Sequence, residues 1–135
     1  MTGEFPFPTL AGLDFLCAAG DLNYRLDLSR EEVELGLCEP STGKRALLEH
    51  DQLMHARASG AAFSGFTEGV IRFDPTFKFD KKSAVYDTSK KRRVPAWTDR
   101  ILFKRAPHVD LLEYSSIEGS RGSDHRPVFA KFRVR

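Results

Sequence analysis

Asp21 and Asn23 stand two residues apart in AAGDLNYRL, Asp99 follows the tryptophan of AWTDRIL, and Asp124 and His125 adjoin in GSDHRPV. Side chains at i and i+2 of an extended segment project to one side, so the Asp21 carboxylate and the Asn23 carboxamide are expected to address one point. A carboxylate beside a polarised water takes its proton, and a neighbouring amide holds a phosphoryl oxygen or the water without changing charge. A histidine that contacts phosphate works best when an acceptor on its other ring nitrogen fixes the tautomer. Asp99 is the acceptor expected for His125, and Asp124 is placed to orient the water or join a metal's outer sphere. Each element also has a purely structural reading: Asp21-x-Asn23 fits an Asx-turn, and an Asp-His pair in a turn fits a solvated surface. His50, His55 and His108 lack comparable company and are expected to be exposed or structural.

These groups need strands to deliver them. Residues 14–19, DFLCAA, form a short apolar run between Gly12 and Gly20 and read as a buried strand ending near Asp21. Ser29-Arg-Glu-Glu32 fits a capping box for a short helix carrying Val33 and Leu37. Residues 45–59, rich in helix formers and closed by Gly60, predict a second helix. Val70–Phe73 alternates, with Ile71 and Phe73 on one face, before the turn pair Asp74-Pro75; RILF continues the β character after Asp99. Val128, Ala130, Phe132 and Val134 recur at period two, the pattern of a half-buried strand. Helices early and strands late predict a layered α/β or α+β domain.

With 135 residues, 41% hydrophobic and 30% charged, the chain fits one soluble domain, and no apolar run approaches the ~18 residues of a membrane span. Its first residues carry an acid, two prolines and no basic stretch, so no secretory signal is read there and a cytoplasmic protein is expected. Cys17 and Cys38 have neither metal-ligand spacing nor a CxxC arrangement and are expected as reduced, buried thiols. The net charge of +2 divides unevenly, −5 over residues 1–60 and +7 over residues 61–135. Residues 78–93, KFDKKSAVYDTSKKRR, set seven basic side chains against Asp80 and Asp87. Such a run is a solvated loop, or it meets a nucleic-acid backbone, an anionic membrane surface or a phosphorylated small molecule. PSTGKR at 40–45 is no P-loop: the required upstream glycine is absent, and Arg45 stands where a hydroxyl belongs.

Taken together, GDLNYRL, GFTEGVIRFDPTFKFD, RRVPAWTDRIL and SDHRPV resemble, in order and spacing, the C-terminal half of the inositol polyphosphate 5-phosphatase catalytic domain. That family lies within the endonuclease/exonuclease/phosphatase superfamily. The resemblance implies a partial DNase I-like β-sandwich flanked by helices, and Mg2+-dependent hydrolysis of a 5-phosphate from phosphatidylinositol or soluble inositol polyphosphates. By matching motif, Asp21 resembles the general base, Asn23 the group positioning the scissile phosphate, and His125 the imidazole facing that phosphate with Asp99 behind it. Lys78, Lys91 and Arg93 resemble contacts to the neighbouring 4-phosphate, and Phe77 stands where many relatives carry tyrosine. Trp97 is expected to pack beneath the loop and fix Asp99.

The resemblance also marks what is missing. The family places upstream a strand with an asparagine, another with the glutamate that is the principal magnesium ligand, a histidine-containing strand and an Arg-Asn element, whereas only thirteen residues precede Asp14 here. Residues 1–135 therefore read as a single, N-terminally truncated catalytic domain with its metal ligands unassigned. Such a chain is expected to be weakly active or inactive alone, to contact anionic membranes peripherally, and to gain from a partner chain that completes the sheet. A non-catalytic phosphoinositide-binding scaffold is the competing reading; no nucleic-acid partner is expected, since aromatic interleaving for base stacking is lacking.

Overall fold

The computed structural model describes residues 14–135. The N-terminal segment read above as carrying no signal lies outside the described residues. Strand β1 (Cys17–Asp21) leads into helices α1 (Arg30–Leu37), α2 (Gly43–Leu48) and α3 (Gln52–Ala58). Strands β2 (Thr67–Glu68), β3 (Asp99–Phe103), β4 (Val109–Ser116) and β5 (Val128–Val134) complete the described elements. One antiparallel sheet has the order β1-β3-β2, and β4 pairs antiparallel with β5. Mixed helices and antiparallel strands agree with the layered class expected from the sequence.

The register of the first sheet serves the site directly. Asp21 at the end of β1 pairs with Asp99 at the start of β3, so one ladder rung brings two distant carboxylates side by side. The amides of Leu22 and Asn23 then donate to the Thr98 carbonyl at 2.8 and 3.3 Å, clipping the following turn to the chain just before Asp99.

Several expectations meet corrections with physical causes. β1 is not buried, because among the described residues it is an edge strand paired only with β3, and four of its five residues are exposed. Cys17 is exposed on that edge, and Cys38 is exposed as the C-cap of α1, so neither is a buried thiol. The helix expected over 45–59 is two helices. Asp51 breaks it by taking an extended N-cap conformation whose carboxylate accepts from the Met54 amide at 2.9 Å. Val70–Phe73 alternates as expected, with Ile71 and Phe73 buried and Val70 exposed, yet forms no ladder. The capping box at Ser29 is present, with the Glu32 amide donating to Ser29 Oγ at 3.2 Å and the Ser29 amide donating to Glu32 Oε2 at 2.7 Å.

The core joins Leu26, Val33, Leu47, Phe73 and Trp97 across helices and sheet. Trp97 is fully buried and its indole N–H donates to the Phe73 carbonyl at 3.0 Å, satisfying the one polar atom it brings inside. Helices α1 and α2 approach closely at two glycines: a Cβ on Gly43 would stand 1.7 Å from the Gly36 carbonyl oxygen.

Behind the sheet lies a buried ionic network. Arg100 follows Asp99 but points to the opposite face, where Nη1 donates to Asp51 Oδ1 and Oδ2 at 3.0 and 2.9 Å. Its Nε and Nη2 donate to Glu68 at 2.7 and 3.0 Å, and the Tyr114 hydroxyl donates to Glu68 Oε1 at 2.8 Å. Burial alone would pull the Arg100 guanidinium down; the hydrogen bonds and charge of Glu68, followed by the charge of Asp51, outweigh it and raise it. A fork of three nitrogens bound to two carboxylates fixes β3 against α3 and therefore fixes where Asp99 emerges.

Candidate active site

β1, β3 and the loop before β5 deliver Asp21, Asp99 and His125 to one spot. Each offers a ligand atom, and these atoms lie within 4.8 Å of one another. Asp99 Oδ2 accepts from His125 Nδ1 at 2.9 Å, Thr76 Oγ1 at 2.6 Å and Thr98 Oγ1 at 2.9 Å. Three donors on one oxygen leave the carboxylate no freedom to turn, so the ring it holds is also fixed. His125 Nε2 faces Asp21 Oδ2 at 4.0 Å. A cleft of about 410 Å³ opens here, lined among others by Asp21, Asp99, Ile101, Ser123, His125 and Arg126.

Asp21 and Asn23 form the Asx-turn that is the structural reading of their spacing, and of the two Asp21 lines the cleft. The Asn23 amide donates to Asp21 Oδ1 at 2.9 Å, which is the Asx-turn, while Oδ2 remains on the His125 side. The chain is not extended through this turn: Asn23 has φ 61°, in the left-handed region that asparagine tolerates. Asn23 is accordingly exposed, it is not among the residues that line the cleft, and strand parity does not place it. Its Oδ1 accepts from Arg25 Nε at 3.1 Å and from Nη2 at 2.5 Å. The Arg25 guanidinium also lies over the Phe77 ring, 4.7 Å from its centroid, and that ring packs against His125 with centroids 4.6 Å apart.

Asp124 is not among the cleft-lining residues. Ser123 Oγ donates to its carboxylate at 3.4 Å, and its backbone carbonyl accepts from the Phe79 amide at 2.9 Å, tying the 77–79 segment to the histidine loop. His55 lies apart from the cleft, its Nε2 at 2.6 Å from the Glu49 carbonyl.

The basic segment is folded around its two acids. Asp87 is buried, and its carboxylate accepts from the Ser89 amide at 3.0 Å and the Arg93 amide at 2.9 Å. Hydrogen bonds from Ser89, then the Arg93 amide, hold the Asp87 carboxyl down at about 2. The Asp87 amide donates to the Lys78 carbonyl at 2.9 Å, and Arg30 Nη1 donates to the carbonyls of Asp87 and Arg93 at 3.1 and 2.8 Å. Lys78 and Arg93 are thereby drawn to the two sides of Asp87, while Lys91 stands exposed on the connecting turn. Phe79 stacks on Tyr86 with centroids 4.4 Å apart, and Arg126 caps the stack 3.6 Å from the Phe79 centroid.

A pH dependence follows from Asp87. Its folded carboxyl sits near 2 against an ordinary 3.8, so the order it confers is complete above about 3.8 and is lost as pH falls through about 2. The Ser89 and Arg93 amide resonances are expected to titrate together over that window. Asp87→Asn is expected to free the loop at neutral pH, because both oxygens are used and the amide's NH2 must face one of the two backbone donors. Unchanged amide exchange at Ser89 and Arg93 in that variant would show that the carboxylate does not order the loop.

Strand ends and residue pairing in the sequence point to Asp21, Asp99 and His125, and they do not point to Thr76, Thr98 or Arg25. Arg25 was within reach, two residues beyond Asn23 in the same run. Thr76 carried no local signal, since only the fold brings it to Asp99.

Comparison with known proteins places these residues in a lineage. The model of endonuclease/exonuclease/phosphatase family 2 matches residues 9–131. Phosphatidylinositol polyphosphate 5-phosphatase type IV of Rattus norvegicus is 44% identical over 119 residues, 86% of this chain and 18% of that protein. Among solved structures, the inositol polyphosphate 5-phosphatase domain of SPsynaptojanin, in complex with inositol (1,4)-bisphosphate and calcium ion, superposes with a TM-score of 0.81 at 39% identity. That match covers 91% of this chain and 37% of that one. The ferrous NO complex of Cimex nitrophorin superposes with a TM-score of 0.78 at 36% identity, over 90% of this chain and 42% of that one. The chain thus spans less than half the length of each of these relatives, and the same fold carries both phosphatase and nitrophorin chemistry. A match to the family model across most of the chain, together with the fold, establishes that the chain belongs to endonuclease/exonuclease/phosphatase family 2.

Proposed function

We propose that this chain carries the phosphoryl-handling half of an inositol polyphosphate 5-phosphatase, acting on the 5-phosphate monoester of phosphatidylinositol or soluble inositol polyphosphates by attack of water. The observation that supports this most is the Asp99–His125 pair at 2.9 Å, with His125 Nε2 turned to Asp21 at 4.0 Å. In this reading Asp21 Oδ2 takes the proton of the attacking water, and its other oxygen is engaged by the Asn23 amide, which keeps the carboxylate aimed. His125 Nε2 and the Asn23 carboxamide hold the phosphoryl oxygens, and Asp99 fixes the ring that makes the first contact. Lys78, Lys91 and Arg93 meet the neighbouring phosphate and the anionic surface of a membrane, from the cytoplasmic side. Asp124 serves by holding the 77–79 segment. The role of a binding scaffold would not require the fixed carboxylate behind His125.

The cation proposed is magnesium, and the described residues alone do not complete a site for it. Magnesium takes about six oxygen ligands near 2.0–2.1 Å, with one or two carboxylates. Asp99 Oδ2 already holds three donors and His125 Nδ1 is engaged, so among the described residues Asp21 Oδ2, Asp99 Oδ1 and His125 Nε2 are the uncommitted ligand atoms. Waters and the oxygens of a bound phosphate would fill the other positions, as they do at most magnesium sites.

The test is a coupling measurement. Phosphate release from the 5-position is expected to fall with His125→Gln and with Asp99→Asn, and the double variant is expected to be no slower than His125→Gln alone, because the pair acts as one unit. Multiplicative losses would separate the two residues, and release from another ring position would reassign the substrate.

A further inference from the structure

We infer that Arg25 is a positioning residue that fixes which end of the Asn23 carboxamide is presented to an incoming phosphoryl group. This rests on the reading of Asn23 as a phosphate contact. A carboxamide has an accepting end and a donating end, and only the NH2 end attracts an anionic oxygen. Its usefulness at the cleft therefore depends on its orientation.

Arg25 settles that orientation by geometry. Its Nε and Nη2 both donate to Asn23 Oδ1, at 3.1 and 2.5 Å, and Nε also reaches the Asn23 backbone carbonyl at 3.3 Å. Flipping the amide would set two N–H donors against the guanidinium's own N–H groups, a repulsion between like dipoles beside a full charge. With Oδ1 committed, Nδ2 is turned away from Arg25, and among the described residues it has no protein acceptor.

Arg25 is itself held at both ends. The Arg25 amide donates to Gln52 Oε1 at 3.0 Å, and the Gln52 amide donates to the Arg25 carbonyl at 2.9 Å, fixing the backbone against the first turn of α3. The guanidinium plane rests over Phe77 at 4.7 Å, and Phe77 packs on His125 at 4.6 Å. One side chain thus touches Asn23 directly and reaches His125 through one aromatic ring. Lysine has neither the planar stack nor two N–H groups in a fork, so Arg25→Lys keeps the charge and removes the device.

Nuclear magnetic resonance of the 135-residue chain tests this without turnover, using inorganic phosphate as the probe. The Arg25 Nη2–H groups, whose one partner is Asn23 Oδ1, are expected to exchange with water more slowly than those of exposed Arg121, to keep this protection in Asn23→Asp, and to lose it in Asn23→Leu. The Asn23 side-chain NH2 signals are expected to shift on adding phosphate, and Arg25→Lys is expected to weaken that response about 5- to 20-fold while the β4 and β5 amide signals stay in place. Protection that survives Asn23→Leu, or a phosphate response unchanged in Arg25→Lys, overturns the role of Arg25. Protection that depends on Asn23 with no phosphate response in the wild-type chain supports the orientation and overturns the reading of Asn23 as a phosphate contact.

Discussion

Phosphate release by this chain alone is expected to run about 10³- to 10⁴-fold below that of an intact relative, and Asp21→Ala is expected to abolish what remains. On the proposed reading the cleft supplies a base at Asp21 and a fixed imidazole at His125, the groups that would handle the water and the phosphate. Among the described residues it offers a cation the carboxylates of Asp21 and Asp99 beside His125, with no glutamate joining them. A bound metal contributes several kcal/mol of stabilisation to a phosphoryl transition state; losing about 4–6 kcal/mol, at about 1.36 kcal/mol per decade, gives the stated range. The measurement is magnesium-dependent phosphate release from vesicles containing PtdIns(4,5)P2, with the chain in excess over lipid so that a slow first turnover is visible. Turnover equal to that of an intact relative would show that the cleft is complete as it stands. Vesicle binding with no release, unaffected by Asp21→Ala, would favour the scaffold reading instead.

What the sequence disclosed follows the range of the interactions involved. The ends of β1 and β3 and the SDH turn were legible because local period and motif mark them, and the register Asp21 to Asp99 then does the gathering. β4 was missed for a local reason: a bulge between Leu111 and Glu113 shifts the alternation midway, so VDLLEYSS never shows a clean period of two. The exposure of β1 was misjudged because an apolar run does not say how many neighbours its strand will have. The order in the basic segment was hidden for the opposite reason. Its charges suggested a solvated loop, and only the fold shows Asp87 gathering the Ser89 and Arg93 amides while Arg30 holds the Asp87 and Arg93 carbonyls.

The break at Asp51 is the clearest case of tertiary structure overriding local propensity, and it carries the largest expected loss of stability. Residues 45–59 are good helix formers, and a continuous helix would save one N-cap. The chain instead interrupts it to bring a carboxylate under Arg100, where both side chains are fully buried. Asp51→Ala leaves Glu68 as the remaining counter-charge, strips Nη1 of both Asp51 bonds, and removes the cap on the Met54 amide. Breaking one partner of a buried pair costs about 3–5 kcal/mol, and loss of an N-cap about 1 kcal/mol more. Against a stability of about 5–15 kcal/mol for an ordinary domain, that is enough to leave much of the chain unfolded. Urea unfolding followed by Trp97 fluorescence is the measurement, since Trp97 is a core residue whose backbone carbonyl accepts from Arg100 Nη1. Asp51→Asn is the informative companion: it keeps an N-cap acceptor and one acceptor for Nη1, and is expected to lose less than Asp51→Ala. Because β3 carries Arg100 on one face and Asp99 on the other, the same variants are expected to loosen His125 before they unfold the chain, seen as faster exchange of its ring Nδ1–H. A cooperative melt and a His125 ring signal both unchanged in Asp51→Ala would show that Glu68 alone is sufficient to hold Arg100, and with it the strand that aims Asp99.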